Sequence, residues 1–113
     1  MNWITLNNHE QLDQIKSSEG YHVIFKHSTR CPVSMMAKRR FEMGRDEIPQ
    51  DLPVYYLDLI AFRDISNAIA EQFNIHHESP QVLLIKGGEC IYEASHSDIT
   101  TEELSEQISQ LNP

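Results

Sequence analysis

The chain has 113 residues, and its 40% hydrophobic and 23% charged content is typical of a single soluble globular domain, which we place at residues 1–113. Its formal net charge of −8 argues against a nucleic-acid binder and against binding to an anionic membrane surface. No apolar run is long enough to span a bilayer, no signal-peptide pattern is present, and two cysteines are too few for a disulfide framework, so we expect a cytoplasmic protein.

The first half of the chain predicts three strands separated by two helices. The strands are expected at residues 3–6, 21–27 and 52–59, where apolar, β-branched and aromatic side chains are common. One helix covers residues 9–17 after an Asn8 cap, and the next begins at Pro32. We expect the second helix to meet the core through four apolar residues at helical spacing: Val33, Met36, Ala37 and Phe41.

The second half predicts a helix, a β-hairpin and a last helix. The first of these helices covers residues 62–73, and the strands at 81–85 and 89–93 are joined by Gly87-Gly88, a strong hairpin signal. Thr100 caps the last helix, and its apolar stripe consists of Leu104, Ile108 and Leu111. The order β-α-β-α-β-α-β-β-α predicts an α/β fold with a mixed sheet of about five strands and helices on both faces.

A cysteine lies where the second strand gives way to the second helix. Pro32 suits the first helical position, which makes Cys31 the N-cap and places its sulfur beside unpaired backbone N–H groups. A thiol there ionises readily, and the thiolate is its reactive form, so Cys31 is the candidate nucleophile. Ser34 stands where the related C-x-x-C redox motif has its second cysteine. We expect Ser34 to hydrogen-bond the thiolate, and a mixed disulfide on Cys31 to need an external thiol for its release.

The residues around Cys31 are basic although the whole chain is acidic. No Asp or Glu occurs from Gly20 to Phe41, and this stretch holds five of the nine Lys and Arg residues. Positive surroundings stabilise a thiolate. We expect Arg30 to lower the pKa of Cys31 or to contact an anionic substrate, whereas Lys38-Arg39-Arg40 is interpreted as a solvated helix face.

The sequence resembles a known family over nearly its whole length. The order of elements, Cys31-Pro32-Val33-Ser34, and Ser79-Pro80 before the hairpin are similar to the thioredoxin-like superfamily. Further segments make the chain resemble the monothiol bacilliredoxin family, namely His27-Ser28-Thr29, Ser79-Pro80-Gln81 and the stretch from Ala94-Ser95-His96 to Ile99-Thr100. The chain departs from the usual T-C-P-I-S motif of that family at Arg30 and Val33.

This resemblance implies an activity and its partners. The expected enzyme is a thiol–disulfide oxidoreductase that removes bacillithiol from S-bacillithiolated client proteins, with Cys31 taking up bacillithiol as a mixed disulfide. Bacillithiol is then a co-substrate, and no tightly bound cofactor or metal is implied. Free bacillithiol, a bacillithiol disulfide reductase or a thioredoxin-type reductant would regenerate Cys31.

The resemblance also implies where substrates bind. The Ser79–Pro80 bond is expected to be cis and to lie against Cys31, with the backbone of Ser79 facing an extended substrate. The last strand should return to the same rim of the sheet, where the next helix would present its N-terminus to a carboxylate. By analogy with glutaredoxins, we expect His96 and Ser97 to hold the malate or sugar part of bacillithiol. The full set of expected substrate-binding residues is Arg30, Pro32, Ser79, Pro80, His96 and Ser97.

Two other functions remain open at this point. Monothiol glutaredoxins with a C-G-F-S site carry an iron–sulfur cluster, but Pro32 replaces the glycine of that motif and stiffens the loop. The chain could also be a non-catalytic interaction module with an idle cysteine. We expect Cys90 to be a structural strand residue rather than a resolving thiol, and His27 to have a structural role.

Overall fold

Five strands form one mixed sheet, and four α-helices pack on its two faces. The computed structural model describes residues 2–111. The strands are β1 (Trp3–Thr5), β2 (Tyr21–His27), β3 (Val54–Asp58), β4 (Gln81–Lys86) and β5 (Glu89–Ser95). The helices are α1 (His9–Ser17), α2 (Pro32–Met43), α3 (Arg63–Gln72) and α4 (Thr101–Leu111). Two short 3₁₀ helices, Arg45–Glu47 and His96–Asp98, were not predicted. The predicted fold class and order of elements are confirmed.

The strand order explains how distant parts of the chain meet. It is β1-β3-β2-β4-β5, in which β3 runs parallel to β1 and β2, and β4 runs antiparallel to β2 and β5. Lys26 at the end of β2 therefore pairs with Gln81 at the start of β4, and Gln81 pairs with Ser95 at the end of β5. The end of β2, the start of β4 and the end of β5 share one rim of the sheet.

The alternation of side chains along β2 builds two separate cores. Val23 and Phe25 belong to a cluster with residues of α2 and α4, whereas Ile24 belongs to a cluster with residues of α1 and α3. All three side chains are fully buried. Leu104 and Ile108 of α4 are buried as predicted, and the side chain of Leu111 lies outside the described residues. Within residues 2–111, no helix is long and apolar enough to cross a membrane.

The inward face of α2 differs from the prediction. Ala37 and Phe41 are buried, but Val33 and Met36 are 50% and 64% exposed. Ser34 is fully buried instead. Lys38 lies half-buried on the same side, with its Nζ atom 5.4 Å from the centroids of the Trp3 and Tyr56 rings. Helical spacing alone allowed Ala37 and Phe41 to share the buried face either with Val33 and Met36 or with Ser34. The structure has the face with Ser34.

A lysine is buried in the sheet beside this rim. Lys26 has no exposed surface, and its Nζ atom contacts Nδ1 of His77. Burial lowers the pKa of Lys26 to about 8, because the charged form loses its hydration. Between pH 8 and the ordinary lysine pKa, the unfolded chain therefore binds more protons than the folded one, and stability rises with pH over that window.

Replacing Lys26 by methionine is expected to stabilise the protein at neutral pH. The variant removes the buried charge at pH 7, which corresponds to a gain of about 3 kcal/mol in the free energy of unfolding. The gain should fall to about 0.4 kcal/mol near pH 10.5, where Lys26 is neutral in the folded chain and half protonated in the unfolded one. Urea unfolding at pH 7 and pH 10.5 measures this, with Met in place of the exposed Lys86 as the control. An equal effect at the two pH values would contradict the pKa argument.

Candidate active site

Cys31 is the N-cap of α2, and Pro32 occupies the first turn, as the sequence predicts. The Cys31 backbone is extended, with φ −112° and ψ 116°, and its carbonyl accepts the first helical hydrogen bond from the N–H of Met35 at 3.1 Å. The thiol is free and partly exposed. The strand β2 and the helix α2 thus hold a reactive sulfur at the rim of the sheet, at the positive end of a helix.

Groups of Val33 and Ser34 beside the sulfur favour the Cys31 thiolate, although the Cys31 side chain makes no capping hydrogen bond in the part of the chain that the structure describes. The backbone N–H of Ser34 is the main cause that lowers the pKa of Cys31, and the Val33 backbone and the Ser34 hydroxyl lower it further, against a partial opposing effect of desolvation. Ser34 is buried under this corner, and its Oγ accepts a bond from the Ser28 N–H at 3.4 Å. Arg30 is exposed, and its charge is not among the causes of the shift within the described residues.

Replacing Ser34 by alanine is expected to raise the pKa of Cys31, because one of its hydrogen-bond donors is lost. The backbone donors remain, so the effect is modest: alkylation of Cys31 by iodoacetamide at pH 7 should slow about two- to threefold. The rates of variant and wild type should converge at high pH, where both thiols are ionised. The pH dependence of alkylation measures this, with Ser109→Ala on the exposed face of α4 as the control. An unchanged profile would mean that the hydroxyl does not reach the thiolate.

The second side of the site is the loop before β4. The Ser79–Pro80 bond is cis, as predicted. The Pro80 carbonyl accepts a hydrogen bond from the His96 N–H at 3.0 Å, which ties this loop to the end of β5. The hydroxyl oxygen of Ser79 is buried and has no hydrogen-bond partner within residues 2–111. A polar atom left unpaired at this point is available to a substrate.

The segment after β5 is partly different from the prediction. His96 and Ser97 lie at the shared rim and are exposed, in the short 3₁₀ helix, and His96 has a left-handed backbone with φ 56°. The N-terminal turn of α4 is not at this corner. Thr101 donates a hydrogen bond to Glu47 at 2.8 Å and packs on Gly44, at the far end of α2 from Cys31. The expected helix N-terminus for a carboxylate is therefore wrong.

A residue that the sequence analysis missed lies between two histidines. The Glu78 carboxylate is 3.7 Å from Nε2 of His76 and 3.6 Å from Nε2 of His96. Glu78 directly precedes Ser79, so its position before the cis bond was the available signal. Its negative charge lies on the loop before β4, and the exposed Arg30 carries a positive charge on the loop after β2. The rim therefore offers both signs of charge to a substrate.

The second cysteine lies away from this site. Cys90 pairs with Ile85 near the hairpin turn, four residues along β4 from Gln81, which is about 14 Å of strand. Its thiol donates to the Tyr92 carbonyl at 3.4 Å, and burial raises its pKa to about 11. Ordinary alternation along β5 puts Cys90 and Ile91 against opposite cores, and a β-bulge here puts Tyr92 against the same core as Ile91. Such a thiol is poorly suited to resolve a disulfide on Cys31.

The comparisons with known proteins agree with this geometry. The family model described as "Monothiol bacilliredoxin BrxC" matches residues 4–104. The chain belongs to the monothiol bacilliredoxin family. A solved structure described as a proposed oxidoreductase with a thioredoxin fold is similar to this bacilliredoxin at a TM-score of 0.80. The two share 34% identity, over 91% of this chain and 90% of that one.

Two thioredoxins share the fold of this bacilliredoxin at low identity. The thioredoxin from Trypanosoma brucei brucei has a TM-score of 0.77 and 14% identity, over 98% of this chain and 91% of that one. The thioredoxin from Malassezia sympodialis has a TM-score of 0.75 and 20% identity, over 96% and 90%. Family and fold together make this bacilliredoxin a thiol oxidoreductase of the thioredoxin-like type.

Proposed function

We propose that this protein removes bacillithiol from S-bacillithiolated client proteins, as a one-cysteine thiol–disulfide oxidoreductase. The observation that carries the proposal is the single reactive thiol of the site. Cys31 is partly exposed, stabilised as a thiolate by the Ser34 N–H, and followed by Ser34 where a resolving cysteine would stand. Cys90 is partly buried against the other core, and desolvation raises its pKa. One such thiol suits the exchange of one mixed disulfide for another.

The chemistry is a thiol–disulfide exchange with balanced electrons. The Cys31 thiolate attacks the bacillithiol sulfur of the client's mixed disulfide, a new S–S bond forms to Cys31, and the client cysteine leaves as its thiolate. A second thiolate, from free bacillithiol, then attacks the bacillithiol sulfur on Cys31. Bacillithiol disulfide forms, and Cys31 leaves as the thiolate. A reductase of bacillithiol disulfide or of the thioredoxin type restores the small thiol.

The corner between the cis-proline loop and β5 is our choice for the bacillithiol moiety. The unpaired hydroxyl of Ser79 and the exposed His96 and Ser97 supply polar groups at this corner. Arg30, which precedes Cys31 in the chain, is exposed and can meet a carboxylate. Because no α-helix begins at this corner, side chains rather than helix N–H groups would hold the malate or sugar part.

Intact-mass spectrometry of the protein after mixing with a bacillithiolated client tests the proposal. The expected result is one bacillithiol adduct on Cys31 and a client in its free-thiol form. Addition of free bacillithiol should then remove the adduct. An unmodified protein beside an unchanged client would overturn the proposal and favour an interaction module. A coloured, cluster-bearing dimer after anaerobic reconstitution with iron and sulfide would favour the iron–sulfur carrier.

A further inference from the structure

A groove runs along the outer side of α2, starting next to the reactive cysteine. Its volume is about 480 Å³, which is within the range of ligand-binding pockets. Pro32 forms the end nearest Cys31, and Met35, Met36 and Arg39 of α2 form one wall. The opposite side includes His27 and Tyr56 of the sheet. We call this feature the α2 groove.

The methionines of the α2 groove face outward. Met35 is 58% exposed and Met36 is 64% exposed, and Val33 beside them is also exposed. Methionine side chains are flexible and polarizable, which suits a surface that receives varied apolar partners. A reactive thiol beside such a surface is positioned to act on a cysteine that is carried by a neighbouring apolar segment.

A buried imidazole, that of His27, lines the α2 groove. The His27 side chain is 4% exposed, and its Nδ1 atom has no hydrogen-bond partner within residues 2–111. Burial is the main cause that lowers the pKa of His27, with the charge of Lys38 next, so the ring is largely neutral at pH 7. Buried polar atoms are almost always paired in folded proteins. Because this Nδ1 atom is itself buried, the ring shapes the groove and does not offer a hydrogen-bonding atom to a ligand.

The charge of the α2 groove is positive on a chain that is negative overall. Glu42 also lines the groove, but its carboxylate already accepts bonds from Trp3 Nε1 at 2.8 Å and from Lys38 Nζ at 3.1 Å. The exposed Arg39 makes no ion pair within the described residues. The cation left for a ligand is therefore Arg39, and its complement is a carboxylate.

We propose that the α2 groove docks a segment of a client protein in which an acidic side chain stands beside an apolar one. The apolar side chain packs on Met35 and Met36, and the carboxylate meets Arg39. The inference rests on the proposed function only in naming the partner as a client protein. It assigns to α2 the choice of client, separate from the corner proposed for bacillithiol.

Exchange with synthetic peptides tests the docking without bacillithiol. Two matched peptides each carry one cysteine joined to thionitrobenzoate and leucines at the same positions, with glutamates in one and lysines in the other. The Cys31 thiolate attacks the peptide sulfur and releases thionitrobenzoate, which is followed by its absorbance, with Cys31→Ser as the blank. We expect the acidic peptide to react about tenfold faster than the basic one. The net charge of −8 by itself predicts the opposite order.

Two pairs of matched variants on α2 locate the effect. Arg39→Glu and Met36→Ser should each slow the acidic peptide about tenfold. Arg40→Glu and Met43→Ser change exposed residues of the same helix outside the α2 groove, and should slow it less than twofold. Alkylation of Cys31 by neutral iodoacetamide should stay within twofold of wild type in all four, which shows that the thiol is intact.

The remaining outcomes distinguish failure of the docking proposal from failure of the proposed activity. Equal rates for the two peptides, or equal effects of Arg39→Glu and Arg40→Glu, would overturn the docking proposal even if bacillithiol transfer occurs. A charge preference without bacillithiol transfer would uphold docking and overturn the proposed activity. A dimer in sedimentation equilibrium that Met36→Ser dissociates would assign the α2 groove to a second copy of the chain and overturn the client proposal.

Discussion

Replacing Cys31 by serine is expected to abolish the transfer of bacillithiol, with a loss of at least about a thousandfold in rate. The serine hydroxyl stays protonated at neutral pH and cannot form a disulfide, so neither half of the exchange can occur. Hydrogen bonds from the Ser34 backbone and hydroxyl stabilise a thiolate at this position and cannot produce a comparable alkoxide. Intact-mass spectrometry with a bacillithiolated client is the measurement, and the client should keep its modification.

Cys90→Ser is the matched variant for this experiment. Cys90 is partly buried near the hairpin turn with its thiol bonded to the Tyr92 carbonyl, so its loss should leave the rate of transfer within about twofold of wild type. Two results would refute the one-thiol mechanism. One is transfer that survives in the Cys31→Ser protein, and the other is a Cys31–Cys90 disulfide in the wild type.

The second large effect concerns stability and is expected for alanine at Gly88. This residue has φ 76°, which costs an L-residue about 1–2 kcal/mol. A Cβ atom at Gly88 would also lie 2.3 Å from the carbonyl oxygen of Lys16, which is backbone and cannot move aside easily. The Lys16 ammonium donates to the Gly88 carbonyl at 2.9 Å, and a shift of the turn would break that bond. We expect a loss of about 3–5 kcal/mol in the free energy of unfolding.

Gly87→Ala separates the two causes, because Gly87 also has a positive φ, of 60°, but a Cβ there would meet nothing within 4 Å. Its expected loss is about 1 kcal/mol. Urea unfolding of both variants and the wild type gives the comparison. Similar losses for the two alanines would mean that the contact with α1 does not constrain the turn. The Cys31 alkylation rate should be unchanged while either variant is folded.

Much of the fold could be predicted from local signals. Pro32 after a β-rich strand correctly predicted Cys31 as the N-cap of α2, and two adjacent glycines correctly predicted the hairpin turn. These signals depend on backbone preferences that neighbouring residues carry in the sequence. The inward face of α2 could not be read in this way. Ser34 is buried because its hydroxyl has a partner in the preceding loop, and a count of apolar residues does not register such a bond.

The details of the site depend on similar contacts. Arg30 is next to Cys31 in sequence, but the lowered pKa of the thiol comes from Val33 and Ser34 at close range, and contact of Arg30 with an anionic substrate stays a prediction. The position of the α4 N-terminus depends on the 3₁₀ helix at His96–Asp98, which no sequence pattern predicts, and on a contact between Thr101 and Gly44. Local sequence likewise does not show that Nδ1 of His27 is buried without a hydrogen-bond partner, because its surroundings come from the rest of the fold.

The distance of Cys90 from Cys31 determines which oxidised forms this protein can take. With its second sulfur packed away from Cys31, the chain has no disulfide of its own in which to store an electron pair. Every oxidised molecule with Cys31 in a disulfide is therefore a conjugate, heavier than the reduced one by the mass of whatever it joined. The fraction conjugated follows the ratio of oxidised to reduced thiol in the surroundings. The conjugated fraction therefore reports the redox state of the surrounding thiols, and the protein stores no reducing equivalents in an internal dithiol.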